Sequence, residues 1–218
     1  MPKIVILPDK TKAWFLDVTA PLVAFFVKLE LNPNFFTSIG FVASVIGGFL
    51  FGAGHLRSAG LVMLLSGIFD IIDGRVARAT NRVTKFGALY DSTLDRYSEV
   101  ILFFGMAYYF GTNALSSPDT SFWDQFAAVI VSFALGGSIM VSYVRARAES
   151  LGFECKVGLM QRPERVVCIA FGAVIAEFML IFALTLVAVL ANHTALHRLY
   201  HVWQQENEDK LKEIITEE

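Results

Sequence analysis

Four long stretches without a charged side chain constrain this 218-residue sequence more than any other feature. Asp, Glu, Lys and Arg do not occur in residues 31–56, 100–118, 125–144 or 178–197. Because an α-helix rises about 1.5 Å per residue, each stretch is long enough to cross about 30 Å of hydrocarbon. The chain has 17% charged and 55% hydrophobic residues, whereas soluble domains carry about 25% charge. The sequence therefore predicts an all-α integral membrane protein and excludes a disordered chain.

Two shorter apolar stretches raise the number of predicted helices to six. Residues 58–69 continue into residues 70–79 without a helix breaker, and residues 166–176 follow Pro163, which is favourable in a first helical turn. The six-helix bundle is predicted at 34–53, 57–79, 85–110, 122–149, 163–176 and 178–203. The predicted organisation is an N-terminal cytoplasmic segment at 1–33, a membrane domain at 34–203 and a charged cytoplasmic tail at 204–218.

Lysine and arginine are distributed unevenly between the two sides of the predicted bundle. One side has only Arg57. The other side has Lys3, Lys10, Lys12, Lys28, Arg75, Arg78, Arg82, Lys85, Arg145, Arg147, Lys156, Arg162 and Arg165. Because cytoplasmic connections are rich in basic residues, we expect this side and both termini to face the cytoplasm at a cell's inner membrane. The net charge of −2 provides no basic field that would attract nucleic acid.

An amphipathic segment precedes the first predicted span. Within residues 11–29, apolar side chains recur every three or four positions, while Lys12, Asp17 and Lys28 prevent the segment from spanning a membrane. The pattern predicts an interfacial helix that lies on the cytoplasmic leaflet. A helix packed onto the bundle is an equal alternative.

Four aspartates interrupt the second and third predicted helices. Asp70 and Asp73 are three residues apart, and Asp91 and Asp95 are four apart, so each pair shares a helix face. The short connection between the helices predicts antiparallel neighbours whose carboxylates converge near the cytoplasm. Unpaired, these charges would repel strongly at low dielectric. Two Mg²⁺ or Mn²⁺ ions that share the carboxylates would remove the repulsion, although intramembrane aspartates also fit a cation or proton transporter.

Small residues and an arginine accompany the aspartates. Gly74 and Gly87 lie on the carboxylate faces, where a missing side chain permits close approach to the backbone. Either glycine alone is more typical of helix packing. Arg78 follows Gly74 by one turn and has the donor geometry that suits phosphate oxygens. Together these residues predict a diphosphate site.

The run Asp70-x2-Asp73-Gly74-x2-Ala77-Arg78-x8-Gly87-x3-Asp91-x3-Asp95 resembles the signature of the CDP-alcohol phosphotransferases without a gap. This resemblance implies six transmembrane helices, a homodimer and a polar cavity that opens to the cytoplasm. It also implies two divalent metal ions and displacement of CMP from a CDP-linked lipid.

The resemblance also assigns roles to residues. Asp70, Asp73 and Asp91 match metal ligands of the family, and Asp95 matches the general base and a ligand of the second ion. The positions that match contacts to the CDP group are Asn32, Pro33, Asn34, Phe35, Gly74, Arg78 and Thr84.

A second basic cluster bears on the hydroxyl acceptor. The candidate residues for an acceptor phosphate are Arg145, Lys156, Arg162 and Arg165, and ordinary cytoplasmic charge is the alternative. Residues 142–149 and 158–165 resemble the branch of the family that uses 1D-myo-inositol 3-phosphate. The glycerol 3-phosphate branch usually has proline after the third aspartate, where this chain has Ser92. The resemblance implies phosphatidyl transfer from CDP-diacylglycerol to inositol phosphate, with glycerol 3-phosphate as the alternative acceptor.

Two further patterns predict no additional chemistry. His193, His197 and His201 are spaced four apart and could form a metal face, but without a thiolate or carboxylate on that stripe we interpret them as polar residues at a helix end. Two cysteines, Cys155 and Cys168, are too few for a disulfide framework and are expected to be inert thiols.

Overall fold

The structure, a computed structural model, describes residues 20–21, 23–28, 31–116 and 121–217, with the backbone alone for 121 and 209–217. Every regular element in these residues is helical, which confirms the all-α prediction. Six long helices follow a short helical segment at 23–28. They are α1 (Pro33–Gly52), α2 (Leu56–Ala79), α3 (Lys85–Ser116), α4 (Ser121–Ser150), α5 (Arg162–Ile175) and α6 (Glu177–Glu217).

Three helices in the described residues are long and apolar enough to cross a membrane. They contain the segments Pro33–Gly52, Phe122–Ser150 and Glu177–Glu208. The helices α2 and α3 carry the charged motif, and α5 has only 14 residues. Large apolar side chains such as Phe49, Phe104 and Phe182 point outward and are at least 65% exposed, as expected for a surface that contacts lipid rather than water.

Local sequence signals explain how the first helix begins and why the last one is long. The Asn32 side chain accepts a hydrogen bond from the Asn34 N–H at 3.0 Å, and Pro33 occupies the first turn of α1. Helix α6 continues past the predicted end at 203 because residues 204–217 contain no proline or glycine and are rich in good helix formers. The predicted tail at 204–218 is therefore largely a continuation of α6, and α3 likewise extends from its predicted end at 110 to Ser116.

Small residues bring the helices of the bundle close together. Helix α1 packs against α2 and α3, α4 packs against α3 and α6, and α5 packs against α2 and α6. Where α1 crosses α3, a Cβ atom on Gly105 would lie 2.1 Å from the Gly48 carbonyl oxygen. Where α5 meets α6, a Cβ atom on Gly172 would lie 2.7 Å from the Met179 carbonyl oxygen. Glycine at these points permits backbone contact between helices.

The described part of the N-terminal amphipathic segment contacts the bundle. Val23 is buried in a small apolar cluster with Phe36 of α1 and with Ile72 and Val76 of α2, whereas Phe25 is exposed. Residues 11–19, 22 and 29 of the predicted helix lie outside the described residues. The packed alternative therefore holds for residues 23–28, and contact of this segment with a membrane surface stays a prediction.

Candidate active site

The aspartates face a cleft between α2 and α3. Both helices pack along α1, but these two described helices make almost no close backbone contact with each other. The prediction that carboxylates of these two helices converge is confirmed for Asp70, Asp91 and Asp95, while the two backbones stay apart. Carboxylates from both helices need space for a counter-charge between them, and a direct helix contact would remove that space. The cleft supplies this space, with α1 forming the shared wall.

Three of the four predicted metal ligands come together in this cleft. One carboxylate oxygen from each of Asp70, Asp91 and Asp95 lies within 4.8 Å of the other two. The Asp91 Oδ1 atom is buried and has no hydrogen-bond partner among the described residues. Buried polar atoms normally have a partner, and clustered carboxylate oxygens are the donors that Mg²⁺ and Mn²⁺ prefer. These residues therefore fit a divalent cation.

The fourth aspartate lies at the wall of the cleft. Asp73 is 5% exposed, and its Oδ2 atom accepts a hydrogen bond from the Thr37 hydroxyl of α1 at 2.6 Å. Asp73 is not part of the group within 4.8 Å. The hydrogen bond orients the Asp73 carboxylate, so Thr37 is a supporting residue of the site.

Arg162 supplies a positive charge to the cleft from the first turn of α5. Its Nη1 atom lies 2.5 Å from Asp70 Oδ2 and 2.7 Å from Asp95 Oδ1. The sequence predicts this arginine as an acceptor-phosphate residue, and the structure places it beside the predicted base. A cation from α5 thus bridges carboxylates of α2 and α3.

The residues predicted to contact CDP lie on three neighbouring elements. Around Gly87, a Cβ atom would lie 3.0 Å from the Thr84 hydroxyl and 3.3 Å from Asn34 Oδ1. The Thr84 hydroxyl also accepts a hydrogen bond from the Gly87 N–H at 2.9 Å. On α2, a Cβ atom on Gly74 would lie 3.4 Å from the Arg78 guanidinium. Asn32, Pro33 and Phe35 lie at the start of α1, so the predicted set borders one end of the cleft.

The candidate acceptor residues are less closely grouped. Arg145 pairs with Glu149 at 2.9 Å on α4, and Lys156 is exposed in the loop before α5. Arg165 is 1% exposed and forms an ion pair with Glu99. Of the predicted acceptor residues, Arg162 contacts the carboxylates of the cleft.

Several buried or half-buried polar residues near the site are absent from the predicted set. Glu99 and Arg96 of α3 form an ion pair at 3.1 Å, and Arg198 of α6 donates to the Val157 and Val141 carbonyl oxygens at 2.8 Å and 2.5 Å. Beside Asp70 and Asp95, the residues Ser66, Ser98 and Arg162 line a small polar cavity. The sequence signal for Glu99 is a charge directly before a long apolar stretch, but its partners are distant in sequence.

The histidines and cysteines form no site within the described part of the chain. His193 and His197 stack with ring centroids 6.2 Å apart, and His201 lies 2.7 Å from the Gln205 amide nitrogen. Both cysteines are free. Burial raises the pKa of the Cys155 thiol, which keeps the thiol protonated and unreactive at neutral pH.

A sequence model described as CDP-alcohol phosphatidyltransferase matches residues 30–204, which include the four aspartates and the glycines of the cleft. The chain belongs to the CDP-alcohol phosphatidyltransferase family. It is therefore a membrane transferase of phospholipid biosynthesis, as the motif indicated.

Individual members of the family are similar to this chain over most of its length. Archaetidylinositol phosphate synthase of Methanothermobacter thermautotrophicus is 32% identical over 208 residues, covering 91% of this chain and 99% of that protein. The crystal structure of Mycobacterium tuberculosis phosphatidylinositol phosphate synthase with CDP-DAG bound is similar with a TM-score of 0.74 and 30% identity, over 86% of this chain and 94% of that one. The same mycobacterial enzyme in complex with manganese and citrate has a TM-score of 0.74 and 31% identity, over 85% and 88% of the two chains.

Proposed function

We propose that this protein transfers a phosphatidyl group from a CDP-activated lipid to a hydroxyl of 1D-myo-inositol 3-phosphate and releases CMP. The observation that carries the proposal is the meeting of Asp70, Asp91 and Asp95 in one cleft, in a chain similar to two inositol phosphate-type synthases over most of its length. The archaeal and mycobacterial relatives differ in name between archaetidyl and phosphatidyl products, so the lipid substrate has either ether-linked or ester-linked tails.

The four aspartates are the proposed metal ligands. Asp70, Asp91 and Asp95 supply converging oxygens, and Asp73 supplies a carboxylate oriented by Thr37. We propose two Mg²⁺ ions, with Mn²⁺ as the alternative, since the mycobacterial enzyme has a structure in complex with manganese. Divalent cations bound here would neutralise the negative charge of the diphosphate.

Asp95 is the proposed general base. It removes the proton from the acceptor hydroxyl as the hydroxyl oxygen forms a bond to the β-phosphorus of the CDP-lipid. The bond between that phosphorus and the oxygen bridging to CMP breaks, and CMP leaves with the electron pair. Arg162 lies 2.7 Å from Asp95, so it can orient the base and contact phosphate oxygens.

The proposed nucleotide site uses the glycines and the ends of three helices. Gly74 and Gly87 leave the backbone open beside Arg78, Thr84 and Asn34. Asn32, Pro33 and Phe35 complete the proposed contacts from the start of α1. An arginine and nearby hydroxyl and amide groups suit a diphosphate and a cytosine base.

The acceptor phosphate is assigned to the second basic cluster. Arg145, Lys156, Arg162 and Arg165 are the proposed contacts, and Arg162 already lies in the cleft. Direct contact by Arg165 requires its guanidinium to leave Glu99. Glycerol 3-phosphate is the second candidate acceptor, since its phosphate has the same chemistry. A metal-ion or proton transporter is the remote alternative, and it predicts ion flux that survives R78A.

The proposed assembly is a homodimer that crosses the membrane with six helices. In this arrangement the cleft and both termini face the cytoplasm of the inner membrane, and the N-terminal segment lies at the leaflet surface. The uneven distribution of basic residues supports the orientation, and the three apolar helices support insertion into a bilayer. Cysteine labelling from each side of the membrane tests the orientation.

The decisive experiment measures CMP release by the purified protein with CDP-diacylglycerol and Mg²⁺. Inositol 3-phosphate, glycerol 3-phosphate and free inositol are compared as acceptors, with D95N as the inactive control. We expect release with inositol 3-phosphate alone. Release driven by glycerol 3-phosphate would transfer the proposal to the second candidate, and no release with any acceptor would contradict a transferase role.

A further inference from the structure

Glu99 is a buried carboxylate that the proposed chemistry does not use. It lies one helical turn after Asp95 on the same face of α3, and it is 5% exposed. An ionised carboxylate inside a helical bundle is costly unless charged partners surround it. Glu99 has two such partners, Arg165 and Arg96.

The pair of Glu99 and Arg165 joins α3 to α5. The Glu99 Oε1 atom accepts from Arg165 Nε at 3.0 Å and also from Arg165 Nη2. The remaining Arg165 Nη1 atom donates to the Met160 carbonyl oxygen at 3.0 Å, just before α5 begins. With 1% of its surface exposed, Arg165 fixes both the start of α5 and the loop that leads into it.

Side chains rather than backbone packing connect these two helices. Helices α3 and α5, both described in full, make almost no close backbone contact. The ion pairs between Glu99 and Arg165 and between Asp95 and Arg162 cross the space between them. Arg162 and Arg165 are three residues apart on α5, so contacts that anchor Arg165 also restrain the helical turn that carries Arg162.

Glu99 also holds the residue next to the base. Its Oε2 atom accepts from Arg96 Nη1 at 3.1 Å, and that nitrogen also donates to the Ser142 hydroxyl of α4. The Arg96 Nη2 atom lies 3.6 Å from Asp95 Oδ2. One carboxylate thus links α3 with both α4 and α5 beneath the cleft.

We propose that Glu99 is a positioning residue for phosphatidyl transfer: through Arg165 it sets α5 so that Arg162 meets Asp95 and Asp70. This inference rests on the proposed function but not on the identity of the acceptor. Small displacements of groups around a reacting centre cause large losses of rate. Glu99 itself touches neither the substrate nor the metal-binding oxygens.

The test is a double-mutant cycle between Glu99 and Arg162, measured as CMP release in mixed micelles. E99Q keeps the size of the side chain but removes its charge. We expect E99Q to lower kcat about 10- to 100-fold, in line with the loss of a supporting partner, with the KM for CDP-lipid changed less than threefold. Because Glu99 acts through Arg162, we expect E99Q/R162A to have the same kcat as R162A within twofold.

A binding measurement and a matched variant complete the test. Titration of Mn²⁺ by electron paramagnetic resonance should give E99Q a wild-type affinity, since Glu99 is not a ligand. E177Q changes a glutamate at the start of α6, where it accepts from Tyr109, and should keep wild-type kcat. If E99Q does not fold, E99D replaces it, and its shorter side chain should give the same non-additive pattern.

Three results would overturn the inference. If the kcat losses of E99Q and R162A multiply in E99Q/R162A, the two residues act independently. Glu99 would then serve stability alone. A tenfold rise in acceptor KM for E99Q at unchanged kcat would mean that Glu99 acts on acceptor binding and not through the position of Arg162. A wild-type protein that releases no CMP would overturn the proposed function and this inference together, whereas failure of the cycle with an active wild type overturns this inference alone.

Discussion

The two halves of α3 are held in place by different forces. From Lys85 to Glu99 the helix carries the carboxylates and contacts its surroundings through ion pairs with Arg162 and Arg165. From Val100 to Ser116 it packs through apolar and small residues, with Gly105 against Gly48 of α1. Packing of small residues is rigid and independent of salt and metal, whereas the charged half leaves a cleft that can accept ions and phosphate. The comparison shows how one helix combines a fixed anchor with a reactive segment.

The largest expected effect comes from the base in the charged half. D95N should lower CMP release by about 10²- to 10⁴-fold, the range for loss of a general base. The overall fold and CDP binding in the presence of metal should persist, because Asn keeps the shape of the side chain. Steady-state kinetics and calorimetry with CDP measure both quantities. Turnover near the wild-type rate would exclude Asp95 as the base.

The second effect separates the metal ligands from the base. D70N should weaken Mn²⁺ binding by more than the roughly 10- to 100-fold that loss of an outer partner causes. It should weaken CDP binding too, because the diphosphate loses its counter-charge. Calorimetric titrations with Mn²⁺ and then CDP measure this loss. Unchanged affinity for both ligands would contradict a ligand role for Asp70.

The third effect comes from disturbing the apolar half of α3, from Val100 to Ser116. G105A places a Cβ atom 2.1 Å from the Gly48 carbonyl oxygen, so it should destabilise the bundle by about 1–3 kcal/mol, as overpacking does. Thermal unfolding in detergent measures the change in Tm. The matched control is G111A, where a Cβ atom meets nothing within 4 Å among the described residues. That variant should keep or raise Tm, and an equal loss in both variants would argue against a specific crossing.

The smallest expected effect lies at the other end of the bundle. Y109F removes the hydrogen bond from the Tyr109 hydroxyl to Glu177 Oε2, which is 3.2 Å long and exposed. Its loss should lower the free energy of unfolding by about 0.5–1.5 kcal/mol and leave kcat unchanged. The same unfolding and CMP-release assays measure it. A clear loss of turnover would show that the two halves are coupled more strongly than their contacts indicate.

Sequence alone predicts the parts of this architecture that local spacing encodes. Asn32 and Pro33 mark the start of α1, and the aspartate intervals place three carboxylates on facing helices. The charge-free stretches predict the apolar helices because burial in lipid requires them. These features depend on residues within a few turns of one another, so no tertiary information is needed.

Contacts between distant residues could not be predicted in the same way. The width of the cleft between α2 and α3 depends on how both helices pack on α1, which a five-residue connection does not specify. The pair of Glu99 and Arg165 joins positions 66 apart, and no periodicity specifies such a partner. Arg165 is therefore indistinguishable in sequence from an exposed cytoplasmic arginine, although the structure buries it.

The length of α6 has a mechanical consequence. Its 41 residues extend for about 60 Å, roughly twice the thickness of a bilayer's hydrocarbon. A helix that leaves the bilayer without a break behaves as a lever, and a tilt of about 10° within the membrane would displace its free end by on the order of 10 Å. A small rotation of the bundle would therefore produce a larger displacement near residue 217. Energy transfer from a fluorophore attached there can resolve this change in distance during turnover.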